Sequence, residues 1–347
     1  MNLWLLTGEY PPDYGGGIAT YSYHTAEMLC QRGHHLTVFA SVENLPGSWQ
    51  IQELSERLRV VRFGANQSPQ SSALGIFARW SYDAALVLAE FCRKEGTPDV
   101  LEVQEYLGMP YFTLQRRLLL DEALTNLPIL VTAHTPLYLC RQYDQLPAHR
   151  FPGYWIGEME RFSLLAADEV VYPSNYLRDE IEKDLPQIRE HSRVIANPFQ
   201  VQEEPVRKRE NSDRHGFLYT AKIERRKGIE PLLSTFSQMW DAGLTEPLFL
   251  VGDDWYDELH QHWLSETIRR QYGYYFEAKL LCWEGKQSPL VVKQKLSQVR
   301  AMILPSLLEN YPYAVLEAMA AGCPVIVSQN GGHAELVEQG ISGFIFS

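Results

Sequence analysis

The sequence predicts an α/β protein made of two doubly wound, Rossmann-like domains. Short apolar runs of strand length alternate with amphipathic helical runs along nearly the whole chain. The alternation breaks once, over residues 201–214, where more than half of the side chains are charged and a proline intervenes. At 347 residues the chain is also too long for one typical domain. Residues 3–6 read as the first strand. Residues 18–32 read as a helix with Ile18, Tyr21, Ala26 and Leu29 on its apolar stripe; Gly33 stops it, and 36–40 form the next strand. Strands over 60–63, 100–103, 129–133, 169–172 and 193–195 and helices over 74–94, 111–120, 156–165 and 175–185 continue the pattern. Past the break come strands over 216–219, 248–251, 279–283 and 301–304, and helices over 229–240, 255–272 and 291–299. Such alternation calls for parallel sheets covered on both faces, whose ligands gather at the carboxyl ends of the strands. The expected organisation is a first domain over 1–200, a linker over 201–214 and a second domain over 215–347.

Composition narrows the function. A hydrophobic content of 45% supplies full-sized cores, and a charged content of 21% argues against global disorder. The net charge of −12 argues against nucleic-acid binding, which needs clustered Lys and Arg, so an anionic ligand must meet a local basic patch. Cys30, Cys92, Cys140, Cys282 and Cys323 are scattered and odd in number, which fits reduced thiols better than a disulfide framework or a zinc site. The opening residues lack a basic n-region and a long apolar core, so they read as a strand and not as a signal peptide. No apolar run has the length of a membrane span. A cytoplasmic protein is expected, with peripheral membrane association left open.

Residues 305–328 are the most informative. Glu309 and Glu317 bracket seven residues; Pro312 suits the first position of a helix and Gly322 the residue past its end, and 323–327 read as a buried strand. Glu309 then lies on the loop feeding the helix and Glu317 about one and a half turns in. A helix start offers unpaired N–H groups and partial positive charge, here from Tyr313 and Ala314, and so can receive a phosphate. A carboxylate on each side could take hydroxyls of two sugars flanking a diphosphate. The spacing alone is equally that of an ordinary strand–loop–helix with two solvated glutamates.

This segment resembles the E-x7-E region of retaining glycosyltransferases of family 4, the glycosyl transferases group 1, which have the GT-B fold. The likeness runs in register through Glu317-Ala-Met-Ala-Ala-Gly-Cys-Pro-Val-Ile-Val-Ser to Gly331-Gly332 and Glu335-Leu-Val. It implies two Rossmann-like domains facing a central cleft, an acceptor side in the first and a nucleotide-sugar donor side in the second. It further implies retaining transfer from a nucleoside-diphosphate sugar, a co-substrate and not a cofactor, to a hydroxyl on a glycan, a lipid-linked saccharide or a small molecule, with no metal required. Family members continue past the position of Ser347, so the second domain is expected to be shortened at its C-terminus. A GT-B epimerase and a non-catalytic nucleotide-sugar-binding module are the alternatives.

The resemblance assigns roles residue by residue. Glu309 contacts the transferred sugar, with the backbone of Asn310 and Tyr311 beside it, and Glu317 accepts the ribose hydroxyls. Asn310-Tyr311-Pro312 departs from the Gly-Phe-Gly common in the family, giving a stiffer loop with one fewer N–H. Lys222 and Lys227 neutralise the leaving diphosphate; Lys227-Gly228 matches the family, whereas Ala221-Lys222 replaces Gly-Arg and gives up a bidentate grip. From the residues alone, this stretch also reads as a solvated basic loop. His134 falls where the family places a histidine near the transferred sugar, which implies a donor-sugar contact through its main chain as well as its ring and not a general base; it also reads as a satisfied structural histidine. Gly15-Gly16-Gly17 follow the first strand as either a flexible turn or a close backbone approach to a ligand; Thr20 excludes the dinucleotide glycine pattern. Gly252 and Gly285 sit after strands where the family binds the donor, and a structural role serves Gly252 as well. Tyr10, Tyr14, Tyr106, Tyr138 and Trp155 could stack on a glycan or simply pack. No D-x-D pair, phosphate-binding P-loop or H-E-x-x-H is present.

Overall fold

The apolar run at the start becomes β1 (Asn2–Thr7), buried along most of its length because it lies inside a parallel sheet with both faces covered. The computed structural model describes residues 1–12, 16–42, 45, 47–64, 69–201, 213–257 and 260–347. The chain divides into two units. One comprises Met1–Gln142 and Pro147–Gln200, the other Tyr143–Leu146 and Val201–Ser347.

In the first unit β1 is followed by α1 (Gly17–Gln31), β2 (His35–Val42), β3 (Trp49–Ser55), β4 (Leu58–Gly64), α2 (Ile76–Glu95), β5 (Val100–Gln104), α3 (Tyr111–Leu118), β6 (Ile129–Thr132), α4 (Leu137–Tyr143), α5 (Gly153–Ala166), β7 (Glu169–Tyr172), α6 (Asn175–Asp184) and β8 (Ser192–Val194). The sheet order is β3-β4-β2-β1-β5-β6-β7-β8, parallel throughout except that β3 runs against β4. Leu5, Val38 and Val60 stack across three neighbouring strands in one core cluster. The direction in which strands are added reverses at β1 and β5, the place where open α/β sheets hold ligands.

The second unit runs β9 (Phe217–Thr220), α7 (Ile229–Asp241), β10 (Leu248–Val251), β11 (Tyr256–Asp257), β12 (His262–Trp263), α8 (Leu264–Glu277), β13 (Leu281–Trp283), α9 (Pro289–Leu296), β14 (Ala301–Leu304), α10 (Tyr313–Ala320), β15 (Val325–Ser328) and β16 (Gly343–Phe346). The six-stranded sheet is wholly parallel, in the order β13-β10-β9-β14-β15-β16. Leu218 and Tyr219, neighbours on β9, belong to different core clusters, as the two-residue period of a strand requires. The switch point here falls between β9 and β14.

Three expectations change. The helix expected over 255–272 begins only at Leu264; before it, β11 and β12 form an antiparallel hairpin in which Tyr256 faces Trp263 across the strands, ring centroids 5.4 Å apart. Its anchor is Asp257, almost fully buried, which pairs with Arg225 and with the ring of His260. Strand β3, an exposed edge, alternates apolar and polar only over Trp49-Gln50-Ile51-Gln52, and short α4 follows Pro136 with no cap signal. Residues 202–212 of the expected linker lie outside the described residues. Arg214, at its end, is no linker residue: its guanidinium donates to the carbonyls of Val299 and Gly322, at 3.1 and 2.9 Å. Among the described residues, no helix is long and apolar enough to cross a membrane, and all five cysteines are free.

Gly228 shows how tightly the loops above the second sheet pack. Its φ is +73°, and a Cβ there would lie 1.9 Å from the Pro305 carbonyl oxygen. Gly340 shares a positive φ, +79°, but its Cβ would meet nothing. Gly228→Ala should therefore destabilise the protein by about 3 kcal/mol, and Gly340→Ala by about 1 kcal/mol. Thermal and chemical unfolding of both variants measures this, and equal losses would show that the close approach relaxes easily.

Candidate active site

The carboxyl ends of β9 and β14 lie side by side, and each feeds a loop bearing candidate residues. After β9 the chain runs through Lys222 into a tight turn, Arg225–Lys227, and enters α7 through left-handed Gly228. After β14, residues 305–312 lead to α10. The Leu307 N–H donates to the Arg226 carbonyl at 2.8 Å, clamping one loop to the other. Lys227 Nζ thereby reaches Glu309 Oε2 at 2.6 Å. Glu309 is only 7% exposed. Its other carboxylate oxygen accepts the Asn310 N–H at 3.3 Å, and its carbonyl accepts the Gly332 N–H at 3.0 Å. Burial pushes the Glu309 carboxyl up, but the Lys227 ammonium and its hydrogen bond, with His333 and Arg226 adding, outweigh that and hold it below the usual carboxylate value.

The other donor-side candidates surround this pair unevenly. Lys222 has a 60% exposed side chain, with Glu224 as a distant carboxylate at 4.0 Å. Asn310 and Tyr311 already use their N–H groups locally: Asn310 bonds Glu309, and Tyr311 bonds the Asn310 side chain at 2.5 Å. The sequence expectation that both main-chain groups face a sugar must therefore include the breaking of these bonds. Pro312 is the residue before α10 and not its first, so Tyr313 and Ala314 are the residues that open the helix. Glu317 is exposed on α10, and desolvation by surrounding protein raises its carboxyl above the ordinary value. Gly252 and Gly285 are bound together, Gly252 N–H to Gly285 carbonyl at 3.0 Å. A Cβ on Gly252 would lie 1.8 Å from the Ala221 carbonyl oxygen, a packing reason for that glycine. Gly285 is left-handed, at φ +67°, and its missing side chain faces open space.

The first unit holds His134, Gly16 and Gly17. His134 follows β6, and its N–H donates to both oxygens of the buried Glu105, at 2.8 Å each. Thr135 donates to the same carboxylate at 3.0 Å while adopting φ +117°, a strained conformation for a β-branched residue. A second buried acid, Glu160, accepts the N–H groups of Leu107, Leu137 and Tyr138. Burial, and then the neighbouring Glu160, push Glu105 up to about 8 against the pull of those N–H groups. Burial drives His134 down to about 3, and its ring meets Tyr21 edge-on with centroids 4.6 Å apart. The imidazole is neutral, its main-chain N–H is committed to Glu105, and it is unsuited to general-base work. A Cβ on Gly16 or Gly17 would meet nothing within 4 Å, so no packing contact requires glycine there; Gly15 and Tyr14 lie outside the described residues. Of the other aromatics, Tyr10 is core, Tyr138 lies under the Arg161 guanidinium, and Trp155 packs on Tyr111.

Two Rossmann-like units, with a buried lysine–glutamate pair at the switch point of the second, put charged groups where open α/β sheets bind ligands. Comparison with known proteins makes this specific. Residues 15–203 match Glycosyltransferase Family 4 and residues 200–347 match Glycosyl transferases group 1. The chain belongs to glycosyltransferase family 4, has the two-domain α/β architecture of GT-B proteins, and is a glycosyltransferase using a nucleotide-sugar donor. It is 23% identical to the glycogen synthase of Mycobacterium tuberculosis over 99% of this chain and 81% of that one. It is 24% identical to a glycosyltransferase of Methanocaldococcus jannaschii, covering 99% and 84%. Among solved structures it is similar to sucrose-phosphate synthase from Thermosynechococcus elongatus (TM-score 0.72, 20% identity, 99% and 85% covered). It is also similar to Anabaena HepE in complex with UDP-glucose (TM-score 0.63, 16% identity, 100% and 85% covered).

Sequence reasoning did not single out Ser306, Ser328 and His333, which underlie Glu309, or Glu105 and Glu160, which shape the His134 loop. Gly331-Gly332 pointed toward the first group without revealing its histidine; the acids of the second carry no spacing signal. The Lys227–Glu309 pair yields a direct expectation. Lys227→Ala leaves a buried carboxylate alone and should cost about 3 kcal/mol near neutral pH. The wild-type contribution is present above the unfolded carboxylate pKa and is lost as pH falls through the depressed pKa of Glu309. In the variant, burial has lost its main opponent and Glu309 protonates earlier, so the stability gap should narrow between about pH 7 and about pH 4. Denaturant titrations at both values test this, and a gap that widens in acid would refute the pairing.

Proposed function

We propose that the protein is a retaining, metal-independent hexosyltransferase that moves a sugar from a nucleoside diphosphate to a hydroxyl acceptor. The observation that carries this reading is the Lys227–Glu309 pair at the β9–β14 switch point, beside the start of α10. In this reading a bound donor exchanges partners with the pair. Lys227 turns to the diphosphate, Glu309 takes hydroxyls of the transferred sugar, Glu317 takes those of the ribose, and the N–H groups of Tyr313 and Ala314 point at phosphate oxygens. Gly285 leaves room for a nucleobase. Lys222 and Lys227 balance the charge that grows on the diphosphate as the glycosidic bond breaks, which is the work a divalent cation does elsewhere.

Transfer follows a front-face course. The bond from the anomeric carbon to the phosphate oxygen breaks, the acceptor oxygen bonds that carbon on the same face, and the acceptor proton passes to the departing phosphate oxygen. Configuration is retained without a protein base, which agrees with a neutral, buried His134. The first unit is assigned the acceptor, whose hydroxyl belongs to a glycan, a lipid-linked saccharide or a small molecule.

A thermal-shift panel of UDP-, GDP-, ADP- and TDP-glucose tests the reading. One of them should stabilise the wild type, by about 2.7 kcal/mol at a hundredfold excess over Kd, and EDTA should leave that shift and the transfer rate unchanged. Glu317→Ala should weaken donor binding about tenfold to a hundredfold while moving stability by less than about 0.5 kcal/mol, because the side chain is exposed. Unchanged donor affinity in a folded Glu317→Ala variant would contradict the assignment.

A further inference from the structure

We propose that His333 is a positioning residue for Glu309: hydrogen-bonded to Ser328 and packed against Gly331, it fixes the place from which Glu309 meets the transferred sugar. This rests on the donor reading above. His333 lies on the turn Gly332–Leu336 after β15, with no exposed surface. Its Nε2 is 3.1 Å from Ser328 Oγ. The Ser328 hydroxyl has a single hydrogen, and it is donated to the Ser306 carbonyl. Ser328 Oγ must then accept from the imidazole, which places the ring proton on Nε2 and leaves Nδ1 bare. Nδ1 faces Gly331, where an added Cβ would fall 2.4 Å from it and 3.0 Å from Glu309 Cβ. The ring therefore fills the space a side chain at 331 would use.

Those contacts tie both ends of the Glu309 segment to the end of β15 and the turn that follows it. Ser306, three residues before Glu309, is held through its carbonyl by Ser328. The Glu309 carbonyl is held by the Gly332 N–H at 3.0 Å. His333 links the two anchors, with Ser328 on one side and the Gly331–Gly332 backbone on the other. Burial, with Lys227 adding, holds the ring near 4 against the pull of Glu309, so near neutral pH the ring is uncharged and the Lys227 ammonium is the cation bonded to the carboxylate. A merely structural histidine would make the second unit stable without distinguishing one part of a ligand from another. A positioning residue for Glu309 acts on the sugar and spares the nucleoside diphosphate.

Calorimetry on the full chain separates the two. The probes are whichever of UDP-, GDP-, ADP- or TDP-glucose the wild type binds, and its parent nucleoside diphosphate. His333→Ala and Ser328→Ala should each lower affinity for the nucleotide-sugar tenfold or more and leave that for the nucleoside diphosphate within twofold. His333→Gln, whose amide N–H reaches the place of Nε2, should recover nucleotide-sugar binding, whereas His333→Asn, which is too short, should not. Ser328→Ala keeps the question answerable if His333→Ala does not fold. Parallel loss of both ligands, no loss of either, or a glutamine variant as weak as alanine would overturn the assignment. A wild type that binds none of the four would instead defeat the donor reading, and this inference with it.

Discussion

One ion pair organises the second unit's ligand edge. Lys227 and Glu309 come from different loops, and both are withdrawn from water. A buried pair of this kind adds little net stability over apolar residues of the same size, since desolvation offsets most of the attraction, yet each partner is costly to leave alone. The pair is therefore best understood by what it keeps ready. A cation and an anion are held in place and largely removed from bulk solvent, and under the proposed donor assignment each would exchange its partner for part of the ligand without having to be stripped of water first. The close approach of the two loops depends on Gly228, and that of the chain after β15 on Gly331, where side chains would occupy the space of a carbonyl or an imidazole.

The first unit uses buried acids differently. Glu105 and Glu160 accept backbone N–H groups from the segments that carry His134 and its neighbours. Glu105 satisfies the donors of a loop that has no regular secondary structure, and Glu160 takes the N–H groups that open α4. That is how Thr135 is held at a φ it would not otherwise adopt. The result is a histidine with a fixed backbone and a neutral ring, placed by its surroundings to pack or to hydrogen-bond and not to carry a proton at neutral pH.

The alternation of apolar runs was enough to read two parallel sheets, since buried strands and amphipathic helices leave distinct periods in the sequence. The β11–β12 hairpin was hidden because no glycine or proline marks it; it is anchored by Asp257 pairing with Arg225, distant in sequence, and by an aromatic pair that also suits a helix. Exposed β3 was hidden because an edge strand needs no apolar face. At the site, Lys227, Glu309 and Glu317 could be picked out as candidates because a family resemblance gave their spacing meaning. The pairing of the first two was not legible, because it depends on two loops meeting across the switch point of a sheet. Ser328 and His333 were less legible still: a buried serine–histidine contact looks, in sequence, like any other strand end followed by a turn. Arg214 read as linker by its charge, and only the carbonyls of Val299 and Gly322 show why it is buried.

The central claim is that the lysine and glutamate are partners only until a donor replaces each for the other. Crystal structures of the protein alone and soaked with its nucleotide-sugar test it most directly. The account predicts that Lys227 Nζ leaves Glu309 for a diphosphate oxygen and that the Glu309 carboxylate takes hydroxyls of the sugar. A ligand bound at this edge with the Lys227–Glu309 contact still closed, or bound away from it altogether, would contradict the account.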